Sequence, residues 1–118
     1  MMIIKNLYYD KNDQPITGKD ACFVWAKQLE DSKDRIVRQQ TTWLGFWVST
    51  VWLGLDHSFG GGRPLIYETM VFRGSSGDID MKRYSTRKEA VEGHRQMFLK
   101  WSNPLHAILW LIRKRREH

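Results

Sequence analysis

Two histidines and two carboxylates are the side chains of this 118-residue chain that could together perform acid–base chemistry. Asp56 and His57 end one apolar run, Glu68 lies in the next, and His94 lies in a segment with helical periodicity. An unperturbed histidine titrates at about pH 6.5 and can transfer protons at neutral pH, and a carboxylate can orient it or accept its proton. The candidate catalytic residues are therefore His57, Glu68 and His94, and they would suit a small hydrolase or nuclease.

The same three side chains could hold a metal ion through two imidazole nitrogens and a carboxylate oxygen. Their spacing matches no compact metal motif such as His-Glu-x-x-His, so we predict neither a metal nor a cofactor. The alternative is structural: Glu68 would be a half-buried carboxylate paired with Arg83, and His94 a core histidine with satisfied hydrogen bonds. If paired residues of the hairpin have numbers with an even sum, Asp56 and Glu68 share one sheet face and His57 lies on the other.

Three consecutive glycines followed by an arginine form a second candidate site. Their backbone N–H groups and the guanidinium could bind an anion, although the segment lacks the Gly-x-x-x-x-Gly-Lys pattern of a P-loop. The alternative is a flexible hairpin connection that uses glycine at positive φ. The predicted ligand-binding residues are Asp56, His57, Gly60, Gly61, Gly62, Arg63 and Arg83.

Half of the surplus positive charge lies in the last six residues. The chain has 19 basic and 13 acidic residues, a formal net charge of +6. Arg113, Lys114, Arg115 and Arg116, with Glu117, contribute +3 of it. Such a cluster favours nucleic acid, anionic lipid or an acidic protein surface as partner. The alternative is a solvated run that caps the negative end of a helix.

The hydrophobic pattern predicts the elements that must position these residues. Runs rich in β-branched and aromatic residues predict strands over residues 3–9, from 36, and over 46–55, 65–72 and 78–84. The last three have no helix between them, which favours an antiparallel meander. Helices are expected over about residues 19–30 after an N-cap at Thr17, from the Thr86–Glu89 capping box, and after the break at Ser102-Asn103-Pro104.

Each predicted helix carries an apolar stripe at helical spacing. The stripes are Ala21, Val24, Trp25, Gln28 and Leu29; Ala90, His94, Met97, Phe98 and Trp101; and Leu105, Ile108, Leu109 and Ile112, widened by Trp110 and Leu111. We therefore expect an α+β fold in one domain, residues 1–118, with a small antiparallel sheet covered on one face by two to three helices. Residues 102–118 form a helical extension, whose stripe should pack on the sheet or on a second copy in a homodimer.

Composition excludes several classes of protein. The single cysteine, Cys22, excludes an internal disulfide framework and suits a reducing cytoplasm. The apolar stretch over residues 43–55 is shorter than the roughly 20 residues of a membrane span. Residues 1–6 lack the pattern of a secretion signal. We expect a cytoplasmic protein.

Two long runs carry a family resemblance. They are VSTVWLGLDHSFGGG at 48–62 and PLIYETMVF at 64–72, followed by RYST at 83–86, Glu89-Ala90 and Gly93-His94. Together they resemble a group of short uncharacterised proteins encoded by phages and prophages. The similarity covers roughly residues 1–100, and Arg63 and Tyr67 stand where the group more often has Pro and Phe. It implies an origin in a mobile element and binding to a host component, including components of host defence.

These observations favour a non-enzymatic accessory protein that binds a host protein or an anionic ligand, such as a nucleotide or nucleic acid. The contact would use the glycine loop and nearby basic residues. One alternative is the hydrolase or nuclease; another is a peripheral membrane-surface protein that uses residues 105–116. One amphipathic helix of two to three turns is a modest anchor, so we expect no stable membrane association.

Overall fold

Seven elements make up the computed structural model, which describes residues 6–30, 35–58 and 62–116. They are α1 (Ala21–Glu30), β1 (Ile36–Thr41), β2 (Trp47–Trp52), β3 (Tyr67–Phe72), β4 (Asp78–Tyr84), α2 (Arg87–Ser102) and α3 (Pro104–Arg116). The strands form one antiparallel sheet in the order β1-β2-β3-β4. The predicted α+β fold with an antiparallel meander is confirmed.

Helix α2 covers one face of this sheet and touches all four strands. Its start is the predicted capping box, in which Thr86 Oγ1 accepts a hydrogen bond of 3.1 Å from the backbone N–H of Glu89. The covered face carries the alternate residues of the two central strands, which are Val48, Thr50 and Trp52 in β2 and Tyr67, Thr69 and Val71 in β3. Alternation along each strand sends the remaining side chains to the opposite face.

The β2–β3 register differs from the even-sum pairing considered above. Trp47 pairs with Phe72 and Val51 with Glu68, so paired numbers sum to 119. The shift by one residue moves Glu68 to the face that α2 does not cover. The long connection between the two strands does not set a register as a two-residue turn would. In the register that forms, Tyr67 pairs with Trp52, and both are buried under α2.

Two apolar clusters fill the space between the sheet and the helices. The first contains Tyr9, Trp52, Ile66, Tyr67, Tyr84 and Ala90, and the second contains Phe46, Val48, Val71, Met97, Trp101 and Ala107. Thr50, Thr69 and His94 lie between them along β2, β3 and α2, and all three are fully buried. We call these three residues the polar layer.

The N-terminal elements are shorter than the sequence pattern predicted. Residues 3–5 of the predicted first strand lie outside the described residues, and Tyr8 and Tyr9 form isolated bridges with Leu55 and Pro15. Helix α1 begins two residues later than expected, at Ala21, whose N–H donates to the carbonyl of Gly18 rather than to a cap at Thr17.

Strand β2 also ends early, at Trp52 rather than at residue 55. Gly54 has a φ of +66°, which takes the chain out of the extended conformation. The N–H groups of Leu53 and Gly54 both donate to the carbonyl of Ile66, at 2.8 and 3.2 Å. The indole N–H of Trp25 donates to the carbonyl of Leu53 at 2.8 Å and ties α1 to this end of the sheet.

Candidate functional site

His94, one of the three predicted catalytic candidates, lies on the side of α2 that faces the sheet, in the polar layer. Its Nδ1 is 2.7 Å from Thr50 Oγ1 and its Nε2 is 2.9 Å from Gln40 Oε1, while Thr50 Oγ1 is 2.6 Å from Thr69 Oγ1. An amide oxygen only accepts, so Nε2 donates to Gln40 and Nδ1 accepts from the Thr50 hydroxyl. Thr69 in turn donates to Thr50. Both ring nitrogens are therefore satisfied inside the protein.

The surroundings of His94 keep it neutral. Burial lowers its pKa below the usual value, and the positive charge of Arg38 on β1 lowers the pKa further. A general base must reach the proton that it abstracts, directly or through one water. His94 is 0% exposed and its nitrogens are engaged by protein groups. This geometry is that of the core histidine which the sequence offered as the alternative.

The other two catalytic candidates have different surroundings. Glu68 lies on the sheet face that α2 does not cover, opposite the side on which His94 packs. It is nevertheless only 7% exposed, and it accepts a hydrogen bond of 3.0 Å from Arg83 Nε. His57 lies in the connection after β2, where its Nδ1 is 2.7 Å from the carbonyl of Leu55. The sheet thus separates Glu68 from His94. Among residues 6–30, 35–58 and 62–116, no three His, Cys, Asp or Glu side chains lie close enough to hold a metal ion.

Asp56 closes the connection that carries the glycines. Its Oδ1 accepts hydrogen bonds from the backbone N–H groups of Ser58 at 2.8 Å and Leu65 at 3.0 Å, and its Oδ2 accepts one from the Ser58 hydroxyl. The residue is 7% exposed. Because these bonds use both carboxylate oxygens, Asp56 shapes the two ends of the loop.

The glycine site itself is described only at one end. Gly60 and Gly61 lie outside the described residues, whereas Gly62 is exposed with a φ of +66°. Arg63 is exposed and its guanidinium pairs with Glu89 at 2.5 Å. The second predicted guanidinium, Arg83, pairs with Glu68 on the uncovered face. Both arginines of the predicted anion site therefore already have carboxylate partners.

Helix α3 has apolar residues on two opposite sides. Ala107 is buried on the inner side, and Trp110 and Leu111 pack beside it against the second apolar cluster. The predicted stripe lies on the other side, about half a turn away. Its members are exposed: Leu105 70%, Ile108 46%, Leu109 44% and Ile112 45%. We call these four residues the outer stripe. Of the two predicted partners of this stripe, the sheet is wrong, because the smaller inner side makes that contact. Packing on a second copy stays a prediction.

The basic residues follow the outer stripe without a break. Arg115 and Arg116 are exposed, while Arg113 and Lys114 line a cavity with Ser76 and Asp78 near the start of β4. Positive charge at the C-terminal end of a helix interacts favourably with the helix dipole. In the described part of the chain, no helix is long and apolar enough to cross a membrane.

The hydrogen-bonded partners of His94 were missed at the sequence level. Thr50 and Thr69 stand in the middle of two strongly apolar runs, and a buried hydroxyl needs a partner. The positions of these two threonines were the available signal, because two threonines at the centres of neighbouring strands predict a polar group facing them. Gln40 has no such signal in the sequence.

Comparison with known proteins finds no significant match. No protein-family model matches this chain, and no curated protein or solved structure matches it at a significant level.

Proposed function

We propose that this protein is a non-enzymatic binding protein that attaches to an acidic protein partner through the outer stripe of α3. The observation that carries the proposal is an exposed row of four large apolar side chains on a helix that already packs through its other side. Exposed contiguous apolar surface marks interaction sites. An apolar row at helical spacing is the form in which helices enter grooves of partner proteins.

The positive charge beside the outer stripe favours an acidic partner. The outer stripe runs directly into Arg113, Lys114, Arg115 and Arg116, and the whole chain has a formal charge of +6. The described residues of α3 include no carboxylate, so a second copy docked on the same stripe would leave these charges without a complement, whereas an acidic groove would complement them. Nucleic acid would match the charge but would leave the apolar row without a partner. An acidic protein surface with an apolar groove satisfies both features.

The source of the partner follows from the sequence resemblance to phage and prophage proteins. On that basis we propose a host protein in the cytoplasm, with interference in host defence as the specific biological role. The separation of Glu68 from His94 by the sheet disfavours the hydrolase or nuclease alternative. Turnover of a nucleotide or nucleic acid that is lost in His57→Ala would overturn the proposal.

Two helical sites of equal exposure allow a matched test. Ile108 on the outer stripe is 46% exposed and Val91 on α2 is 45% exposed, so Ile108→Asp and Val91→Asp introduce the same charge at equally accessible positions. We expect an acidic host protein that is captured by the wild type and by Val91→Asp, and lost by Ile108→Asp. With the purified partner, calorimetry should show about tenfold or greater weakening for Ile108→Asp. Equal affinity for the two variants would contradict the proposal.

The contribution of the basic residues at the C-terminal end of α3 is tested separately. Arg115→Gln with Arg116→Gln should weaken partner binding and flatten its salt dependence, because exposed charges act through screened interactions. The stability to urea should change by no more than about 1 kcal/mol through the lost helix-end charges. Binding of the wild type to vesicles containing anionic phospholipid, with no affinity for an acidic protein, would instead establish the membrane-surface alternative.

A further inference from the structure

A groove runs along the open edge of β4, away from the outer stripe of α3. In the described part of the chain, β4 is the last strand of the sheet and has one neighbour, β3. Helix α2 runs back above it, because Asp80 contacts Trp101 near the end of α2 whereas Tyr84 meets Gly93 in its middle. Two adjoining cavities of about 240 and 400 Å³ lie between strand and helix. Lys82, Gly93 and Gln96 line both cavities.

Gly93 determines how close the helix comes to the strand. A Cβ atom at this position would lie 2.1 to 2.3 Å from the ring and hydroxyl of Tyr84, far inside any real contact. Tyr84 is 4% exposed and forms part of the floor of the larger cavity. The groove is therefore a built feature of the α2–β4 packing.

The charged side chains that line the groove differ in whether they form ion pairs. Each lining carboxylate has a cation of its own; the pairs are Asp80–Lys100, Glu89–Arg63 and Glu92–Arg95. Arg83 is held by Glu68 on the other face. Among the described residues, Lys82 and Lys88 have no ion-pair partner, and the Lys82 ammonium lies 5.9 Å from the centre of the Tyr84 ring. The groove thus offers two uncommitted positive charges.

We propose that an extended acidic peptide binds in this groove as a fifth strand beside β4. An edge strand presents backbone N–H and C=O groups that a further strand can pair with. Successive side chains of the added strand point to opposite faces. Those directed towards α2 would be acidic and meet Lys82 and Lys88. Those directed the other way would be apolar and meet Met81, which is 40% exposed on the uncovered face.

One feature of β4 keeps the edge from pairing indiscriminately. The N–H of Met81 donates to Asp80 Oδ1 at 2.9 Å, which satisfies one backbone donor without a partner strand. A carbonyl of the incoming peptide replaces this carboxylate oxygen, while Asp80 Oδ2 stays bonded to Lys100 and Trp101. The seven residues of β4 set the length of the peptide at about seven. This inference does not depend on the α3 surface.

The test uses a synthetic seven-residue peptide of alternating Glu and Val, labelled for fluorescence anisotropy. We expect Lys82→Glu and Lys88→Glu each to weaken its binding about tenfold. Lys27→Glu, on the exposed surface of α1, makes the same change of charge away from the groove and should change the affinity by less than about twofold. Ile108→Asp should bind this peptide normally, which separates the groove from the proposed function. Circular dichroism verifies the fold of each variant.

A second peptide separates strand pairing from charge attraction. N-methylation of the residues whose N–H groups face β4 keeps every side chain but removes the donors, and should abolish binding. N-methylation of the other residues should leave it unchanged. Equal affinity for the two methylated peptides would overturn the inference, as would equal weakening by Lys27→Glu and Lys88→Glu. The absence of binding at millimolar peptide, or self-association through β4 in its place, would overturn it as well.

Discussion

The two C-terminal helices carry the same kind of apolar stripe and use it in opposite ways. The stripe of α2 is its packing face, with Ala90, His94, Met97 and Trp101 buried against the sheet. The stripe of α3 faces solvent, and the helix is held through Ala107 on its other side. Periodicity therefore identifies an apolar face, but the surroundings of the helix decide whether that face is covered.

The turn between the helices and the aromatic rings beside it account for the difference. Asn103 ends α2 by donating its N–H to the carbonyl of Leu99, and its Oδ1 accepts the N–H of Leu105 at 3.0 Å to begin α3. This turn sets the direction in which the inner side of α3 meets the rings of Phe46 and Trp101. The centroids of Trp101 and Trp110 lie 4.9 and 5.4 Å from that of Phe46. The aromatic contact, rather than the longer stripe, fixes the rotation of α3.

The largest expected effect comes from shortening one side chain on the packed face of α2 and one on the outer stripe of α3. Trp101→Ala removes a side chain that is 3% exposed and should destabilise the protein by about 3–5 kcal/mol, because it leaves a cavity in the second apolar cluster. Ile108→Ala on the outer stripe should cost less than about 1 kcal/mol. Urea unfolding followed by tryptophan fluorescence and circular dichroism measures both. Similar losses in the two variants would show that the outer stripe is covered in solution.

An intermediate effect is expected at the point where α2 approaches β4. Exchange of a helix-interior glycine for alanine ordinarily stabilises a helix by about 1 kcal/mol. At Gly93 the added methyl group meets the Tyr84 ring, so Gly93→Ala should instead destabilise the protein by about 1–3 kcal/mol. Val91→Ala, on the exposed side of the same helix, is the control and should stay within about 0.5 kcal/mol. Stabilisation by Gly93→Ala would contradict the close packing.

The smallest effect concerns the protonation of His94. Its pKa is lowered in the folded protein by burial first and by Arg38 second, so below about pH 6.5 the unfolded chain binds this proton more readily. The contribution of His94 is therefore fully present above that pH, and stability falls as the pH drops towards the lowered pKa. Denaturant titrations at pH 7 and 5 should show a smaller pH dependence in His94→Gln. An NMR titration of the wild type gives the pKa directly, and a value at or above 6.5 would refute the argument.

Local signals predicted most of the fold, and long-range geometry determined the rest. The patterns of the four sheet strands, the Thr86–Glu89 capping box and the break before Pro104 each depend on a few neighbouring residues, and the structure contains all of these. The β2–β3 register depends on what packs over the sheet, and the even-sum pairing was accordingly not the one formed. The rotation of α3 depends on the contact of Trp110 with Phe46, which is distant in sequence and which a count of apolar positions along the helix does not include.

The candidate site divides in the same way. The sequence offered an ion pair between Glu68 and Arg83 and a satisfied core position for His94, and both contacts are present. Convergence of the catalytic candidates required Glu68 and His94 on one side of the sheet, which the register prevents. The predicted role of the glycine loop stays a prediction, because Gly60 and Gly61 lie outside the described residues.

The polar layer that divides the core gives the fold a means of discriminating against near-native arrangements. Apolar side chains tolerate many packings of similar energy, whereas a buried hydroxyl or imidazole without a partner costs about 1–3 kcal/mol. If β3 slid by one residue along β2, Thr69 would leave the covered face and Thr50 would lose its donor. If α2 rotated by one position, His94 would lose both Thr50 and Gln40. Three small polar groups thus make strand alignment and helix orientation conditional on each other, so that misaligned states are penalised together.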